Sequence, residues 1–334
     1  MAGSVLVTGG SGFVGGAVLE RLVAAGRDVR ALVRSEEAAA VVEARGARPV
    51  RGDVLDLPSL VEALRGCEVV YHAAGVNATC VRDARPMERV NVEGSGNVVR
   101  AAVAAGVRRL VYTSSAAAIG EAPGPVGRED SPHRGWYLSR YERSKHLAER
   151  RVLAWASALG LDVVCVNPSS VQGPGRMGGT ARLVLDLVNG RLPVVVDTYV
   201  SIVDVADCAE GHLLAEAHGR TGERYLLNGF SISLREAVEL LRGLTGKPRR
   251  IRFAPRPLAR AAGEAAELAS VLLRRDLPLC REAVRTLLHG HRYDGSRAER
   301  ELGLRYTPAE ETVRRTLAWY AERGLAPAPR RGSG

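Results

Sequence analysis

The sequence of 334 residues predicts an α/β protein with a doubly wound parallel sheet and helices on both of its faces. Short runs rich in β-branched residues alternate with Ala- and Leu-rich stretches of helical length, as in consecutive β-α-β units. Runs such as LVYTS and VVCVN are largely apolar, which is typical of strands covered by helices on both sides. The first run also leads directly into a glycine-rich turn, TGGSGFVG.

The predicted elements follow this alternation along the chain. Strands are expected at residues 4–8, 28–33, 47–51, 69–72, 109–114 and 162–167. Helices are expected at residues 14–25, 35–44, 57–64, 91–105 and 141–159. After residue 167, segments punctuated by Gly and Pro separate shorter helices. We therefore predict a first domain formed by residues 1–167 together with about 199–218. A smaller lobe is predicted over 168–198 and 219–325, and a disordered tail over 326–334.

Composition excludes several classes of protein. The net charge is +10, but the arginines are dispersed among acidic residues and aromatic residues are only 4%, so no nucleic-acid partner is expected. No run approaches the ~18 apolar residues of a membrane span, so no membrane partner is expected. Residues 258–275 are amphipathic and are expected to face the core rather than a membrane surface. Because the chain starts with a strand and a turn, we expect no leader peptide and a cytoplasmic location.

The cysteines and histidines suggest neither disulfides nor a metal. Five scattered cysteines without Cys-x-x-Cys spacing do not indicate a disulfide framework or a zinc site. His289 and His291 form the one metal-like pair. No carboxylate or cysteine cluster lies beside them in the sequence, so we expect ordinary histidines near a helix end.

The glycine-rich turn predicts a dinucleotide site of the Rossmann type. It lies between a strand and a helix, the context in which this motif binds a cofactor. Glycines permit the tight turn and the approach of a pyrophosphate, which then faces the positive N-terminus of the helix. The residues predicted to bind the cofactor here are Thr8, Gly9, Gly12, Phe13, Val14 and Gly15.

The end of the second strand predicts which dinucleotide binds. NAD-dependent enzymes place an Asp or Glu there against the ribose 2′-hydroxyl. The sequence VRALVRS has no acid, and Arg34 offers a forked donor for a 2′-phosphate, with Ser35 and Arg45 near it. We predict NADP(H) in preference to NAD(H), which stays possible. Asp53, followed by Val54 after the third strand, either bonds the adenine amine or caps a turn.

A tyrosine and a lysine four residues apart suggest a reactive pair. Lys145 is one of two lysines in a chain otherwise rich in arginine, and Tyr141 precedes it by four positions. On a helix such residues share a face, so both side chains can reach one small molecule. The spacing alone is common, and it gains meaning from its surroundings.

Seven segments together resemble the extended short-chain dehydrogenase/reductase superfamily, over nearly the whole chain. They are TGGSGFVG (8–15), YHAAG (71–75), VNVEG (90–94), VYTSS (111–115), the pair Tyr141 and Lys145, NPSSVQGP (167–174) and VDVAD (203–207). Within that superfamily the chain resembles the NAD-dependent epimerase/dehydratase family. It is nearest the dihydroflavonol-reductase-like and 3β-hydroxysteroid-dehydrogenase-like branch.

The resemblance implies roles for particular residues. Tyr141 is the expected acid/base, Lys145 lowers the pKa of Tyr141 and binds the nicotinamide ribose, and Ser115 bonds the substrate oxygen. Ser114 is the alternative for this role, but strand alternation favours Ser115. Asn91 caps its helix, cradles a substrate group, or does both. Further cofactor contacts are expected from Ala73, Ala74, Gly75, Pro168, Ser170 and Val171.

The resemblance also points to the substrate side of the site. Expected substrate-contacting residues, besides Ser115, are Trp136, Tyr137, Gln172 and Met177, with Arg182 and parts of 258–288 as further walls. Tyr137 is equally well explained as a packing aromatic. Nucleotide-sugar enzymes carry an Arg for the substrate diphosphate in a stretch that here reads VVVDTYVS (194–201) and has none.

We therefore predict an NADP(H)-dependent oxidoreductase that transfers a hydride between the nicotinamide and a small-molecule carbonyl or alcohol carbon. The alternatives are a sugar-nucleotide epimerase or dehydratase, and a non-catalytic NADP-sensing protein on the same fold. The resemblance allows a homodimer through the helices predicted at 91–105 and 141–159.

Overall fold

Strands and helices alternate through the first half of the computed structural model, which describes residues 3–247, 250–277 and 279–330. In chain order these elements are β1 (Ser4–Thr8), α1 (Phe13–Ala24), β2 (Val29–Val33), α2 (Glu36–Ala44), β3 (Arg48–Arg51), α3 (Leu57–Leu64), β4 (Cys67–His72), α4 (Arg85–Glu88), a π-helical turn (Arg89–Gly94), α5 (Ser95–Ala104), β5 (Arg109–Thr113), a 3₁₀ turn (Ala116–Ala118), α6 (Arg140–Leu159) and β6 (Asp162–Pro168). The later elements are β7 (Ser170–Gln172), α7 (Thr180–Val188), β8 (Val194–Val195), β9 (Tyr199–Asp204), α8 (Val205–His218), β10 (Arg224–Leu227), β11 (Phe230–Ser233), α9 (Leu234–Thr245), β12 (Arg252–Phe253), α10 (Arg256–Leu273), α11 (Arg281–His289), α12 (Ser296–Leu302) and α13 (Ala309–Glu322).

A seven-stranded parallel sheet in the order β10-β6-β5-β4-β1-β2-β3 forms the framework. One apolar core packs α1 and α8 against one face of the sheet, and a second packs α3, α5 and α6 against the other. Strand β1 is buried along its whole length, which explains why its sequence is apolar rather than alternating. The predicted fold class is confirmed.

The six predicted strands all occur, with ends displaced by at most two residues. The helix predicted to start at residue 91 differs more, because a π-helical turn occupies Arg89–Gly94 and α5 begins only at Ser95. Such single π-helical turns occur often at functional sites. Here the turn contains Asn91.

The elements after Pro168 divide between the main sheet and a lobe. β10 pairs with β6 in the main sheet, which corrects the expectation that residues 224–227 lie in the lobe. Its apolar residues are fully buried there, so the sheet continues by one strand beyond the last predicted one. α8 packs on α1 and contributes Cys208, Ala209 and Ala215 to the core. A three-stranded sheet (β11-β9-β7) and a two-stranded one (β12-β8) lie outside the main sheet. Of the residues 199–218 expected to return to the first domain, α8 packs on the main sheet, whereas β9 does not join it.

Residues near the C-terminus that were expected to form a disordered tail contact the lobe. Ala326 packs against a cluster that includes α9 and α13, and the backbone N–H of Arg330 donates to the carbonyl of Leu244 at 2.6 Å. The expected disordered tail therefore does not start at residue 326. Residues 331–334 lie outside the described residues.

Cys80 and Cys280 form a disulfide, contrary to the expectation of none. The two residues are 200 positions apart in the sequence, and the fold brings their Cα atoms to 5.6 Å. Cys80 lies in the segment after β4, and Cys280 is the residue just before α11. Spacing along the chain could not reveal this pair because only the tertiary fold creates it. Cys67, Cys165 and Cys208 are free and buried.

The disulfide predicts a redox-dependent stability. Replacing both Cys80 and Cys280 with Ser should lower the free energy of unfolding by roughly 3–5 kcal/mol, because the cross-link closes a long loop in the unfolded chain. Chemical denaturation with and without dithiothreitol measures this. The wild-type protein should lose stability on reduction and the double variant should not. Equal sensitivity of the two proteins to dithiothreitol would contradict the prediction.

Helix α10 is the clearest departure from the sequence analysis. Residues 258–275 were expected to face the core, yet Gly263 is the one buried residue of the helix. Its leucines at 258, 268 and 272 are each at least 60% exposed. Within the described residues, no helix is long and apolar enough to cross a membrane.

Candidate active site

One large cavity of about 1690 Å³ opens between the main sheet and the lobe. The strand order reverses between β1 and β4, and crevices at such switch points are where doubly wound sheets bind ligands. Most of the residues predicted for the site line this cavity. They are Thr8, Gly9, Gly12, Phe13, Val14, Gly15, Arg34, Ser35, Val54, Ala73, Ala74, Gly75, Ser115, Tyr141, Lys145, Pro168, Ser170 and Val171.

The glycine turn has the shape that a dinucleotide needs. Gly9 has a φ of +75°, and its carbonyl accepts a hydrogen bond from the backbone N–H of Gly12 at 2.9 Å. A Cβ on Gly15 would lie 2.3 Å from the carbonyl oxygen of Gly9. Any side chain at this position would therefore clash with the turn, and only glycine lets α1 start this close to it. The turn therefore presents backbone N–H groups and the N-terminus of α1 to the cavity, which fits a pyrophosphate.

A buried chain of hydrogen bonds fixes this turn to β4 and α5. The backbone N–H of Ala74 donates to Thr8 Oγ1, which is 2.7 Å from His72 Nδ1. His72 Nε2 lies 3.0 Å from the hydroxyl of Ser95, and that hydroxyl donates to the carbonyl of Asn91. Burial, and then the nearby ammonium of Lys145, lower the pKa of His72 to about 3. The imidazole is therefore neutral, which lets it accept from Thr8 and donate to Ser95.

Arg34 lies on the cavity wall directly after β2, at the position where the sequence predicted a contact to the ribose 2′ group. It lines the cavity beside Ser35, whose hydroxyl accepts from the N–H of Ala38 and caps α2. Arg34 is exposed, and Asp53 lies 3.8 Å away as an ion-pair partner. Arg45 was expected near this position, but its guanidinium donates to the carbonyls of Gly10 and Gly12 and braces the glycine turn.

Tyr141 and Ser115 meet at the floor of the cavity. Tyr141 is in the first turn of α6, and Ser115 follows β5 and caps the 3₁₀ turn by accepting from the N–H of Ala117. Burial raises the pKa of Tyr141 above its ordinary value, and Ser115 and the guanidinium of Arg176 act in the opposite direction. At neutral pH the phenol therefore keeps its proton. Ser114 also lines the cavity, so both predicted serines reach it.

Lys145 lies one turn after Tyr141 and is anchored to β5. Its ammonium donates to the carbonyl of Thr113 at 2.9 Å and to the hydroxyl of Tyr112 at 3.3 Å. Burial lowers its pKa to about 8, although the carboxylate of Glu149 on the next turn favours the charged form. An ammonium with few protein partners in a buried cavity wall is suited to binding a ligand oxygen.

Asn91 holds the cavity wall together. Its side-chain oxygen accepts from the N–H of Val76 at 2.7 Å, and its amide nitrogen donates to the carbonyl of Val76 and the hydroxyl of Ser144, each at 2.9 Å. Both ends of the amide are thus used within the protein. The residue does not line the cavity, and it ties the segment after β4 to α6.

Five other predicted residues also lie outside the cavity wall: Asp53, Trp136, Tyr137, Gln172 and Met177. Asp53 caps a turn by accepting from the N–H of Leu55, as one of its two predicted roles required. Trp136 lies beside the guanidinium groups of Arg134 and Arg285, and Tyr137 packs against His133 and His146. Gln172 is buried and bonds Ser170, whereas Met177 is exposed.

Arg176 is a cavity residue that the sequence analysis did not identify. It lines the cavity, its guanidinium lies 5.7 Å from the ring centroid of Phe13, and it acts on the pKa of Tyr141. Burial in turn lowers the pKa of Arg176 itself. The sequence feature that could have identified Arg176 is its position directly after the segment NPSSVQGPG. The expected wall residue Arg182 and several residues of 258–288 also line the cavity.

A carboxylate does lie beside the two histidines, contrary to the sequence analysis. One oxygen of Glu121 lies 2.6 Å from His291 Nδ1 and 3.2 Å from His289 Nε2. Burial raises the pKa of Glu121, but these hydrogen bonds outweigh it and hold the pKa at about 2. Both imidazoles approach the same oxygen atom at hydrogen-bond distance, so the three side chains form a hydrogen-bonded cluster around the buried Glu121. It joins the segment after the 3₁₀ turn to the end of α11.

Fold and cavity together define a Rossmann-type NAD(P)-dependent oxidoreductase of the extended short-chain dehydrogenase/reductase type. The model of the NAD dependent epimerase/dehydratase family matches residues 5–227, and the chain belongs to this family.

Similar proteins extend over almost the whole chain. "Sterol demethylase protein B" from Methylococcus capsulatus is 34% identical over 96% of this chain and 99% of its own length. A ketoreductase from Stigmatella aurantiaca, named for a farnesyl dihydroquinoline oxide, is 34% identical over 89% of this chain and 90% of its own. The crystal structure of gox2253 has a TM-score of 0.85 at 31% identity, covering 97% of this chain and 99% of that one. A double mutant of DesIV, a dTDP-glucose 4,6-dehydratase from Streptomyces venezuelae, with NAD bound, has a TM-score of 0.77 at 26% identity, covering 96% of this chain and 98% of that one.

Proposed function

We propose that the protein is an NADP(H)-dependent reductase of a small-molecule ketone or aldehyde, or the dehydrogenase of the matching alcohol. The observation that carries this proposal is the part of the cavity wall that comes from the chain after Pro168. It consists largely of apolar residues of the lobe: Leu183, Leu192, Val194, Val195, Val196, Leu258, Ala259, Ala262, Val284 and Leu287. Such a wall suits an apolar carbonyl compound better than a sugar diphosphate.

The proposed chemistry assigns one task to each side chain at the cavity floor. A bound nicotinamide supplies or accepts the hydride at the substrate carbon. Ser115 donates a hydrogen bond to the carbonyl oxygen and aligns it with Tyr141. The neutral phenol of Tyr141 donates its proton as the oxygen gains negative charge, and in the reverse direction its phenolate takes the proton back. Lys145 holds the nicotinamide ribose with its ammonium.

A sugar-nucleotide epimerase or dehydratase is the second candidate. Arg176 and Arg182 line the cavity and offer the cations that a diphosphate requires. A UDP-glucose 4-epimerase from Streptomyces lividans is 34% identical over 77% of this chain. Against this candidate, the stretch over residues 194–201 contains no arginine.

A binding screen followed by a turnover assay separates the two candidates. The purified protein is titrated with NADP(H), NAD(H), UDP-sugars and TDP-sugars, and NADPH oxidation is then followed with a panel of ketones that includes apolar ones. We expect NADPH binding and ketone-dependent oxidation. Tight binding of a UDP- or TDP-sugar without turnover of any ketone would overturn the reductase proposal.

Arg34 is predicted to select the phosphorylated cofactor. Replacing Arg34 with Ala should weaken NADP(H) binding by about 10- to 100-fold and leave NAD(H) binding nearly unchanged, because one charge-assisted contact to the 2′-phosphate is lost. Fluorescence titration with NADPH and NADH measures the ratio. Arg48, an exposed arginine on neighbouring strand β3, supplies the control substitution. An unchanged ratio in Arg34→Ala contradicts the assignment.

Three further expectations from the sequence stay predictions. The homodimer would use α5 and α6, and light scattering of the purified protein tests it. The cytoplasmic location is likewise carried forward as a prediction, and so is the division of the chain into domain and lobe apart from residues 224–227.

A further inference from the structure

Helix α10 carries a continuous apolar stripe on its exposed side. The residues at positions 258, 261, 265, 268 and 272 are spaced by three or four, so they lie on one face of the helix. They are Leu, Ala, Ala, Leu and Leu, and all five are exposed to solvent. Val271 and Leu273 at the end of the helix are also more than 60% exposed.

The opposite side of α10 already has its partners. Gly263 faces α11 so closely that an added Cβ would lie 2.9 Å from Val284, and Ala259 packs in the same cluster. Ala259 and Ala262 also line the cavity. The helix is therefore apolar on its packed side and again on its free side, so the stripe is not needed to fold the lobe.

Positive charge surrounds both ends of this stripe. Arg260 lies in the second turn of α10, and Arg274 and Arg275 follow its last residue. Arg256 starts the helix, but its guanidinium donates to the carbonyl of Leu288 on the packed side. Arg82 donates to the carbonyl of Arg274 at 2.7 Å and adds a further cation there. Some acidic residues lie nearby: Glu264 forms an ion pair with Arg281 at 3.6 Å, and Asp276 accepts from the backbone N–H of Arg82.

We propose that α10 docks on the surface of an anionic phospholipid bilayer. The helix axis lies in the plane of the membrane, and Leu258, Leu268 and Leu272 enter the acyl boundary. Arg260 near one end and Arg274 and Arg275 at the other bind lipid phosphates. A second copy of this chain is a poorer partner for this face, because two copies would bring the same positive ends together. A bilayer supplies apolar depth and negative charge at once.

The stripe also meets the cavity. Leu258 belongs to the exposed face and to the cavity wall, so one edge of the docked helix opens toward the space above Tyr141. If the proposed reductase function holds, an apolar substrate dissolved in the membrane has a direct route to the site. The docking itself does not depend on that function.

Vesicle binding tests the proposal with matched variants. The wild-type protein is sedimented with vesicles of phosphatidylcholine alone and of phosphatidylcholine with phosphatidylglycerol. We expect binding to the anionic vesicles, and a loss of about tenfold or more in the Leu268→Glu/Leu272→Glu double variant. Arg274→Glu/Arg275→Glu should lose a similar factor on anionic vesicles. The control is Val41→Glu/Leu159→Glu, which changes two exposed apolar residues outside α10 and should bind as the wild type does.

Fold and self-association are checked on the same samples. Each variant must keep the wild-type circular dichroism spectrum and NADPH affinity, which also separates this test from a failure of the reductase proposal. Absence of vesicle binding by the wild type, or equal binding by the Leu268→Glu/Leu272→Glu variant, overturns the proposal. So does a wild-type dimer that this variant turns into a monomer with no change in vesicle binding, which would identify a second copy as the partner.

Discussion

Replacing Tyr141 with Phe is expected to lower kcat for carbonyl reduction about 10²- to 10⁴-fold, the range of a lost general acid. Burial keeps the phenol protonated at neutral pH, and its hydroxyl lies at the cavity floor beside Ser115. Phenylalanine keeps the packing but cannot donate the proton. NADPH affinity should stay near the wild-type value, because the substitution removes one oxygen atom that the cofactor does not need for binding.

Tyr137→Phe is the matched control for this experiment. The residue precedes Tyr141 by four positions, packs against His133 and His146, and does not line the cavity. It should therefore retain nearly full activity. Steady-state NADPH oxidation and fluorescence titration measure both effects. Full activity in Tyr141→Phe, or an equal loss in both variants, would remove Tyr141 from its proposed role.

The sequence predicted the parts of this protein that depend on local patterns. The glycine turn, the strands and the pair Tyr141 and Lys145 are contiguous motifs, and their geometry follows from strand and helix periodicity. Parallel strands then bring their carboxyl ends to one edge of the sheet, so residues as distant as Gly9 and Ser115 line one cavity. Position along a strand or helix was enough to place them.

Residues whose role depends on distant partners could not be predicted in this way. Cys80 meets Cys280, and Glu121 meets His291, across 200 and 170 positions of sequence, and no periodicity links them. Asn91 shows the converse, because its amide was expected either at a helix cap or at the substrate and instead bonds Val76 and Ser144. An amphipathic pattern such as that of α10 also indicates that a helix has two different faces. It does not indicate which neighbouring element covers each face.

The structure also revises the expected source of reactivity in Tyr141. The sequence analysis assigned to Lys145 the task of lowering the pKa of the phenol. The ammonium instead bonds the carbonyl of Thr113, and burial dominates the pKa of Tyr141 and raises it. A raised pKa suits proton donation during reduction. Oxidation of an alcohol needs the phenolate, so it requires additional positive charge, such as that of an oxidised nicotinamide.

Lys145→Met is expected to abolish activity and, at the same time, to stabilise the protein purified free of nucleotide. The ordinary pKa of lysine is 10.5, and burial lowers that of Lys145 to about 8. At pH 7 the folded protein therefore holds a buried ammonium at a cost of about 3 kcal/mol. Methionine removes this cost but loses the hydrogen bonds to Thr113 and Tyr112, each worth about 1 kcal/mol. The net gain in the free energy of unfolding should be about 1 kcal/mol.

The pH dependence gives this prediction a definite sign. In the wild type the folded state releases the proton of Lys145 near pH 8, whereas the unfolded chain keeps it until about pH 10.5. The free energy of unfolding of the wild type therefore rises with pH between about pH 8 and 10.5. Below pH 8 the full cost of the buried ammonium lowers it, and above pH 10.5 that cost is absent. Lys145→Met should lack this rise between pH 8 and 10.5 in urea denaturation curves. The affinity of the wild type for NADP(H) should decline as the ammonium is deprotonated, and this decline should be absent in Lys145→Met.

The other lysine, Lys247, supplies the control, because Lys247→Met should leave activity and the pH profile unchanged. A variant at Lys145 that is both active and less stable than the wild type at pH 7 would show that the ammonium does not carry the cost on which this argument rests.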